Sequence, residues 1–530
     1  MSDLILTQRS GQRIQKRAKN GLRRKRIFRF FSEVYSFIAA KNDRYILALF
    51  GLLSVALLTG FIGSFRSIII FFAVALIVLL LYTKNFFVAA FLLAIFTFPF
   101  FNPNKYYTIL VIRGLNRLVE FKGDYLLGWG INISNIFLGL SLVAFVREVL
   151  FIRVALKVSL GRKLMPVIFS AFGFFLIGLG SSIQHSPFFE ASFVWLIQYM
   201  QLFLVAMMVY HFFVSHKENF SLVYVTIAST IFLQGIIAAW QFIKQTSVGL
   251  PIEFIKISSF FATGLDEPNA LFRAAGTFNY HNQLGLIVLS LVVILAPLAI
   301  KNRKFVYFFA CFVGVLIVVL TQSRSAWISL AIVVSLFFRT YRSYLEKIIK
   351  DHLKKKYLLY TAILVTSLSY VVIPRILLSF NVFYEGAGIP IRIKMVKEAV
   401  EALGQSPWLG YGVGTNEYVL YSLFPDGVMS VFPSAVHLGF IQLALEMGVL
   451  GLFFFLFPFL YLLRNFFNYK RKGETEFRQD FRFTFMAGVF VFFVYYLFQP
   501  HVGIVEFSYL GLILGMGIVA GQAAESYEKK

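Results

Sequence analysis

Long apolar runs follow one another along most of this chain, parted by short polar segments. They cover residues 45–60, 68–82, 86–101, 133–152, 165–180, 192–214 and 220–242 in the first half. In the second half they cover 284–300, 305–320, 326–338, 358–373, 438–463, 483–498 and 504–520. A helix needs about 20 apolar residues to cross a ~30 Å slab of hydrocarbon. Several runs are shorter, so their ends must extend into the flanks, and the second and third lie close enough to be fused. The pattern predicts an all-α, polytopic membrane helix bundle of about 14 transmembrane helices.

Composition narrows the solvent. The chain is 59% hydrophobic, 18% aromatic and 14% charged. Soluble domains carry roughly a quarter charged residues, so this chain is solvated by lipid. Its one cysteine, Cys311, lies inside an apolar run, which excludes an intramolecular disulfide and a cysteine-based metal site. The N-terminus reads as a basic arm rather than a cleavable signal.

A net charge of +25 raises the question of nucleic acid. Its distribution answers otherwise. With the N-terminus inside and the runs alternating, the inner segments are the N-terminal arm, 153–163, 301–304, 339–356, 464–482 and the C-terminal tail. Assigning each charge to its nearer side puts the whole +25 excess inside and leaves the outer side neutral. Lys and Arg set orientation in this way and attract anionic headgroups. Both termini are then cytoplasmic, and no nucleic-acid partner is expected. The organisation read from this is a basic arm (1–44) with an amphipathic helix over 27–40, N-terminal spans (45–272), a region holding the polar motifs (273–463) with an outer loop (374–436), and a last segment (464–530) of a cytoplasmic loop and two spans.

Polar residues near membrane depth are costly, and function gathers where they do. Four outer groups stand out. Arg273-Ala-Ala-Gly-Thr-Phe-Asn-Tyr-His-Asn-Gln-Leu-Gly joins an arginine, a glycine turn and a helix N-terminus near Asn282, an end able to hold an anion; the plainer reading is a cap and an interfacial arginine. Thr321-Gln-Ser-Arg-Ser-Ala is a short turn that leaves Arg324 no length to snorkel. A guanidinium fork flanked by the hydroxyls of Ser323 and Ser325 suits phosphate, the alternative being a lipid headgroup. Next, Arg392 precedes a short amphipathic helix over 393–403, with Met395, Val396, Val400 and Leu403 on its apolar side. Ser406-Pro-Trp-Leu-Gly-Tyr-Gly-Val-Gly-Thr follows, whose alternate glycines permit close approach to a ligand or to a neighbouring helix. Last comes His437, opening the run 438–463, with Glu446, Gly448 and Gly451 beyond it. Imidazole takes a proton from a hydroxyl near neutral pH. A lone histidine is more often structural, but its place at the end of the large outer loop favours a role. Glu446 is suited to orienting another group or to pairing with a buried arginine, and His281 and His501 are competing histidines on the same side.

With these residues in order the chain resembles the O-antigen ligase and polymerase family, membrane glycosyltransferases that use lipid carriers. The resemblance spans roughly 273–451: Arg273-x-x-Gly-Thr-Phe with Asn282, Thr321-x-Ser-Arg-Ser, Arg392, the glycine run, then His437 leading to Glu446-x-Gly-x-x-Gly. His281 stands where the family usually has proline before the asparagine. The resemblance implies a GT-C-like bundle with a partly helical outer loop. It implies transfer of a glycan from undecaprenyl diphosphate to an acceptor hydroxyl, on a glycan or lipid-linked saccharide, at the outer face of the cytoplasmic membrane. It further implies His437 as the base, and Arg324 and Arg392 as diphosphate clamps with Arg273, Ser323 and Ser325 beside them. Neither cofactor nor metal is expected.

The chemistry of the residues is compatible. A diphosphate leaves readily, so an enzyme need only hold its charge and remove one proton. Trp408, Tyr411 and Tyr418 can stack on sugars or anchor at the interface. The competing class is a flippase for lipid-linked oligosaccharide or another multi-pass transporter. That class should carry charges midway along several helices and paired halves, whereas the polar residues here gather at one face. A non-catalytic scaffold leaves Arg324, Arg392 and His437 without a shared purpose.

Overall fold

The computed structural model describes residues 43–58, 65–100, 133–151, 164–246, 273–278, 280–302, 305–352, 373, 389–431, 435–468, 476–499 and 504–528. The basic arm with its amphipathic helix, the inner segment 153–163, most of the run 358–373, the outer stretch 102–132 and His501 lie outside them. In chain order the described helices are α1 (Asp43–Leu58), α2 (Phe65–Thr83), α3 (Phe86–Thr97), α4 (Ile133–Phe151), α5 (Met165–His185), α6 (Phe189–Tyr199), α7 (Gln201–Ser215) and α8 (Phe220–Lys244). Then follow α9 (His281–Asn302), α10 (Phe305–Leu320), α11 (Arg324–His352), α12 (Ile389–Gln405), α13 (Asn416–Leu423), α14 (Val428–Val431), α15 (Gly439–Asn468), α16 (Glu476–Phe498) and α17 (Ile504–Glu528). Among the described residues there is no strand, and the fold is an all-α polytopic bundle.

Every apolar run read from the sequence, apart from 358–373, falls on a described helix. Among the described residues six helical stretches are long and apolar enough to cross a membrane unaided: Met165–His185, Phe189–Ser215, Lys217–Lys244, His281–Lys301, Gly439–Phe467 and Glu476–Phe498. Shorter apolar helices stand beside them, among them Phe86–Thr97 and Phe305–Leu320. Run 192–214 breaks near Met200 into α6 and α7.

Ends that the alternation puts on one side meet one another. At one end Lys301 pairs with Asp480 at 2.8 Å, and Tyr341 donates to the same carboxylate at 2.7 Å. At the other end Gly439 N donates to Gln499 O at 3.0 Å, and Thr277 Oγ1 donates to Pro99 O at 2.8 Å. Among the described helices, α7 packs most extensively on α17. Gly511 and Gly515, four apart, bring α17 against the backbone of Leu202 and Ala206 and the side chains of Val205 and Val209. Small residues at this spacing let backbones approach where lipid gives no hydrophobic push.

Above the bundle, α12, α13 and α14 form a cap with its own small core of Met395, Ala399, Ala402, Val419, Leu420, Val428 and Met429, seated on Val436 and Leu445. Helix α12 is longer than the sequence suggests and is rotated. Its buried stripe is Met395, Glu398, Ala399 and Ala402, whereas Val400, expected on the apolar side, is 51% exposed. The stripe keeps the i, i+3, i+4, i+7 spacing. Glu398 earns its burial by accepting the Val428 N–H at 3.1 Å, at the start of α14.

Candidate functional site

Residues 273–278 enter the bundle as irregular backbone, which lipid tolerates only where protein satisfies each polar group. Two glutamines of α8 do so. Gln241 Oε1 accepts from Ala275 N and Gly276 N at 3.1 and 2.9 Å, and its Nε2 donates to Gly276 O at 2.8 Å. Gln234 Oε1 accepts from Thr277 N at 3.1 Å, and its Nε2 donates to Thr277 Oγ1 at 2.9 Å. Ala274 N donates to Leu320 O, which lays the segment against the Arg324 turn. Replacing Gln241 by leucine would orphan three buried backbone groups, each costing about 1–3 kcal/mol. We expect a destabilisation of about 3 kcal/mol, read as a lowered thermal midpoint in detergent, while Gln241→Glu, which keeps the acceptor, should lose less.

Arg273 is buried, and its Nη1 donates to His281 Nε2 at 2.6 Å. That contact uses the lone pair His281 would need as a base. Helix α9 begins at His281 itself, so Asn282 lies inside the helix rather than capping it.

The second motif is a tight turn between α10 and α11, with Gln322 in the left-handed region at φ 51°. Thr321 Oγ1 donates to Val318 O at 2.7 Å, and Trp327 Nε1 donates to the same carbonyl at 3.2 Å. Ser323 Oγ lies 3.1 Å from Ser325 Oγ and accepts weakly from Ala326 N, so both hydroxyls are engaged in starting α11. Gly285 packs on this turn: a Cβ there would stand 2.8 Å from Ala326 Cβ and 3.2 Å from Thr321 Oγ1. The first two motifs are therefore one assembly. Arg324 projects from it with Nε buried and unpaired. Among the described residues, neither Arg324 nor Arg392 has a hydrogen-bond or ion-pair partner.

Arg392, on α12, keeps exposed surface. Desolvation nevertheless pulls its guanidinium below the ordinary value, and the Arg324 charge adds to the effect. His437 lies two residues before α15, half-buried. Burial, and next the Arg392 charge, push its imidazole down to about 4, against a hydrogen bond with Ala435 O that works upward. Arg392 thus feels the charge of Arg324, and His437 feels that of Arg392. The Nδ1 of His437 lies 3.0 Å from Ala435 O. A carbonyl can only accept, so Nδ1 carries the proton and Nε2 the lone pair.

The glycine run proves to face a neighbouring helix. Helix α15 breaks at Gly448, with φ 67° and ψ −178°, a conformation essentially confined to glycine. Residues 407–414 fill the break. Tyr411 N donates to Leu445 O at 3.0 Å, Gly412 N to Glu446 O at 2.9 Å, and Val449 N to Pro407 O at 2.8 Å. Gly410, Gly412 and Gly414 all have positive φ, and a Cβ on Gly410 would stand 2.6 Å from Gly448 N. These glycines therefore dock the cap into a membrane helix.

Glu446 sits at that joint, fully buried. Its carboxylate accepts from Tyr199 OH at 2.9 Å, Asn416 Nδ2 at 2.7 Å and Gln442 Nε2 at 3.2 Å, so it orients these neighbours. Asn416 Oδ1 in turn accepts from Val436 N at 3.4 Å, beside His437. Sequence reasoning had Glu446 as an orienting group but missed Asn416 and Tyr199. A Thr-Asn pair after the glycine run carries no signal until the fold brings it to Glu446. The aromatic residues differ in placement: Trp408 is 65% exposed, while Tyr411 OH is turned to Ala402 O.

Residues 309–456 match the model of a protein family described as O-antigen ligase. The matched segment runs from α10 to the middle of α15. It contains Arg324, Arg392, the glycine run, His437 and Glu446, while Arg273 precedes it. Comparison with curated proteins gives no match. On an apolar helical bundle, the family match supports the O-antigen ligase family and a membrane glycosyltransferase-like ligase function, with a lipid-linked glycan donor and an acceptor in general terms.

Proposed function

We propose that this O-antigen ligase-like chain moves a glycan from undecaprenyl diphosphate to an acceptor hydroxyl at the outer face of the cytoplasmic membrane, without a metal in the reaction. The observation that supports the proposal is the chain of Arg324, Arg392 and His437: two cations without counter-charges among the described residues, and an imidazole whose proton affinity is lowered by burial and the Arg392 charge. Two desolvated like charges, one of which feels the other, repel, and a dianion bound to both relieves both costs. Diphosphate is such a dianion, and guanidinium forks match its oxygens.

In this reading the donor enters sideways from lipid and lays its diphosphate between Arg324 and Arg392. Arg273 adds positive potential from beside the turn, and Ser323 and Ser325 hold the turn's shape. The acceptor hydroxyl donates to His437 Nε2. As its oxygen attacks the anomeric carbon, the bond from that carbon to the phosphate oxygen breaks. The proton passes to Nε2, and the arginines take up the charge growing on the leaving diphosphate. The absence of net charge in the outer segments suits an uncharged sugar acceptor.

Purified protein in nanodiscs tests this when given undecaprenyl-diphosphate oligosaccharide alone and then with lipid-linked core saccharide. A ladder from donor alone means polymerisation, and a single product that needs the second lipid means ligation. Folded protein that yields neither, but moves the donor between leaflets, would establish a transporter instead. Arg324→Lys keeps the charge and loses the fork, so transfer should drop about 10²-fold. Transfer within a factor of two of wild type would remove Arg324 from the clamp.

A further inference from the structure

At the end of the bundle opposite His437 lies a second group of chemistry-bearing side chains. Glu148 comes from the end of α4, His211 from α7, and His216 from the turn after α7. His211 Nε2 lies 2.7 Å and His216 Nε2 3.0 Å from the same carboxylate oxygen, Glu148 Oε2. One ligand atom from each of the three falls within 4.8 Å of the others. We propose that Glu148, His211 and His216 bind one divalent transition-metal ion, for which Zn²⁺ is the fitting probe.

The donor set selects the ion. Two imidazole nitrogens and one carboxylate oxygen suit zinc-like ions rather than Mg²⁺ or Ca²⁺, which prefer oxygen alone. Three protein ligands leave a fourth tetrahedral position for water. Ligand atoms around tetrahedral zinc stand about 3.4 Å apart, so the present 2.7 and 3.0 Å separations need to open by about 0.7 and about 0.4 Å.

The outer atoms of the ligands are held as metal sites require. Asn85 Nδ2 donates to Glu148 Oε1 at 2.8 Å, leaving Oε2 to face the histidines. Ser215 Oγ lies 3.4 Å from His211 Nδ1, which directs Nε2 inward. Such partners orient ligands and raise affinity. The rings of Phe87 and Phe145 stand edge-on to His211 at 5.1 and 5.2 Å and keep that side dry. Glu218 Oε1, 3.9 Å from His216 Nδ1, gives the site an acidic outer edge. The ion would staple α4 to α7 at the end assigned to the cytoplasm, far from glycan transfer.

The competing account is a metal-free trio in which both imidazoles donate to the carboxylate. Chelator-treated full-length protein in nanodiscs, titrated with Zn²⁺, Co²⁺ and Mg²⁺ and followed by metal content, separates the two. The expected result is one Zn²⁺ or Co²⁺ per chain, visible tetrahedral Co²⁺ absorption, a raised thermal midpoint and no response to Mg²⁺. His216→Gln and Glu148→Gln keep hydrogen-bonding shape but remove a ligand, and each should weaken binding at least 10-fold. No stoichiometric Zn²⁺ or Co²⁺ binding by folded wild type overturns the site, as does undiminished binding by both folded variants. Should neither variant fold, the wild-type stoichiometry and the Co²⁺ spectrum decide alone.

Discussion

His437→Ala is expected to lower glycan transfer by about 10²–10⁴-fold, the usual worth of a positioned general base, with donor binding little changed. The arginines, not the imidazole, hold the diphosphate in this reading, so the loss should fall on kcat and leave KM for the donor within a few-fold. The pH profile adds a check that a structural histidine would not meet. A base works only when unprotonated, and His437 lies at about 4 against an ordinary 6.5. In kcat/KM, which reports the free enzyme, activity should hold as pH falls through 6.5 and decline only toward 4. In kcat the bound diphosphate offsets the Arg392 charge that helps depress the imidazole, so the acid limb should move up in pH. Near-normal transfer by folded His437→Ala protein would end the assignment. A single limb shared by both profiles would separate His437 from the donor site.

Gly448→Ala should be nearly as damaging, although it touches no substrate. At φ 67° and ψ −178° an alanine is strained whatever its surroundings. Its Cβ would press on the Trp408 carbonyl and stand 2.5 Å from Leu409 N, both backbone atoms with no rotamer to yield. Either α15 straightens or residues 407–414 lift away. Lifting them unpairs Tyr411 N, Gly412 N and Val449 N and takes Asn416 from Glu446, loosening the turn that presents His437. Displacing a reacting group by about 1 Å can cost 10²-fold, so a loss of at least about that size is expected. Gly404 on α12 supplies the control. A Cβ there meets nothing within 4 Å, so Gly404→Ala should keep full transfer and gain up to about 1 kcal/mol of helix stability. Equal damage from the two substitutions would refute the docking account.

The spans were legible because lipid demands long apolar helices and the sequence carries them almost without interruption. Sidedness was legible as grouping: residues assigned to one end do meet there, as Lys301 meets Asp480. The placement of Arg324 at a short polar turn and of Arg392 on an amphipathic loop helix was also legible. What could not be read was any feature joining distant segments. Gly448 sits in an apolar run where a glycine marks no break by itself, and its partner run lies about forty residues upstream. Val400 was misplaced because alanine and a paired glutamate took the buried stripe, and neither declares itself apolar enough to set the phase. Glu148, His211 and His216 are scattered without ligand spacing, so only the packing of α4 on α7 gathers them.

The break in α15 also bears on how the protein is made. Residues 407–414 leave the ribosome before the backbone they will join. While unjoined, a broken α15 would offer the Leu445 and Glu446 carbonyls and the Val449 amide to hydrocarbon, each at a cost of several kcal/mol. The bend and the run that fills it therefore stand or fall together: a straight α15 would pair these groups within itself, and the bend at Gly448 leaves them paired only where residues 407–414 dock.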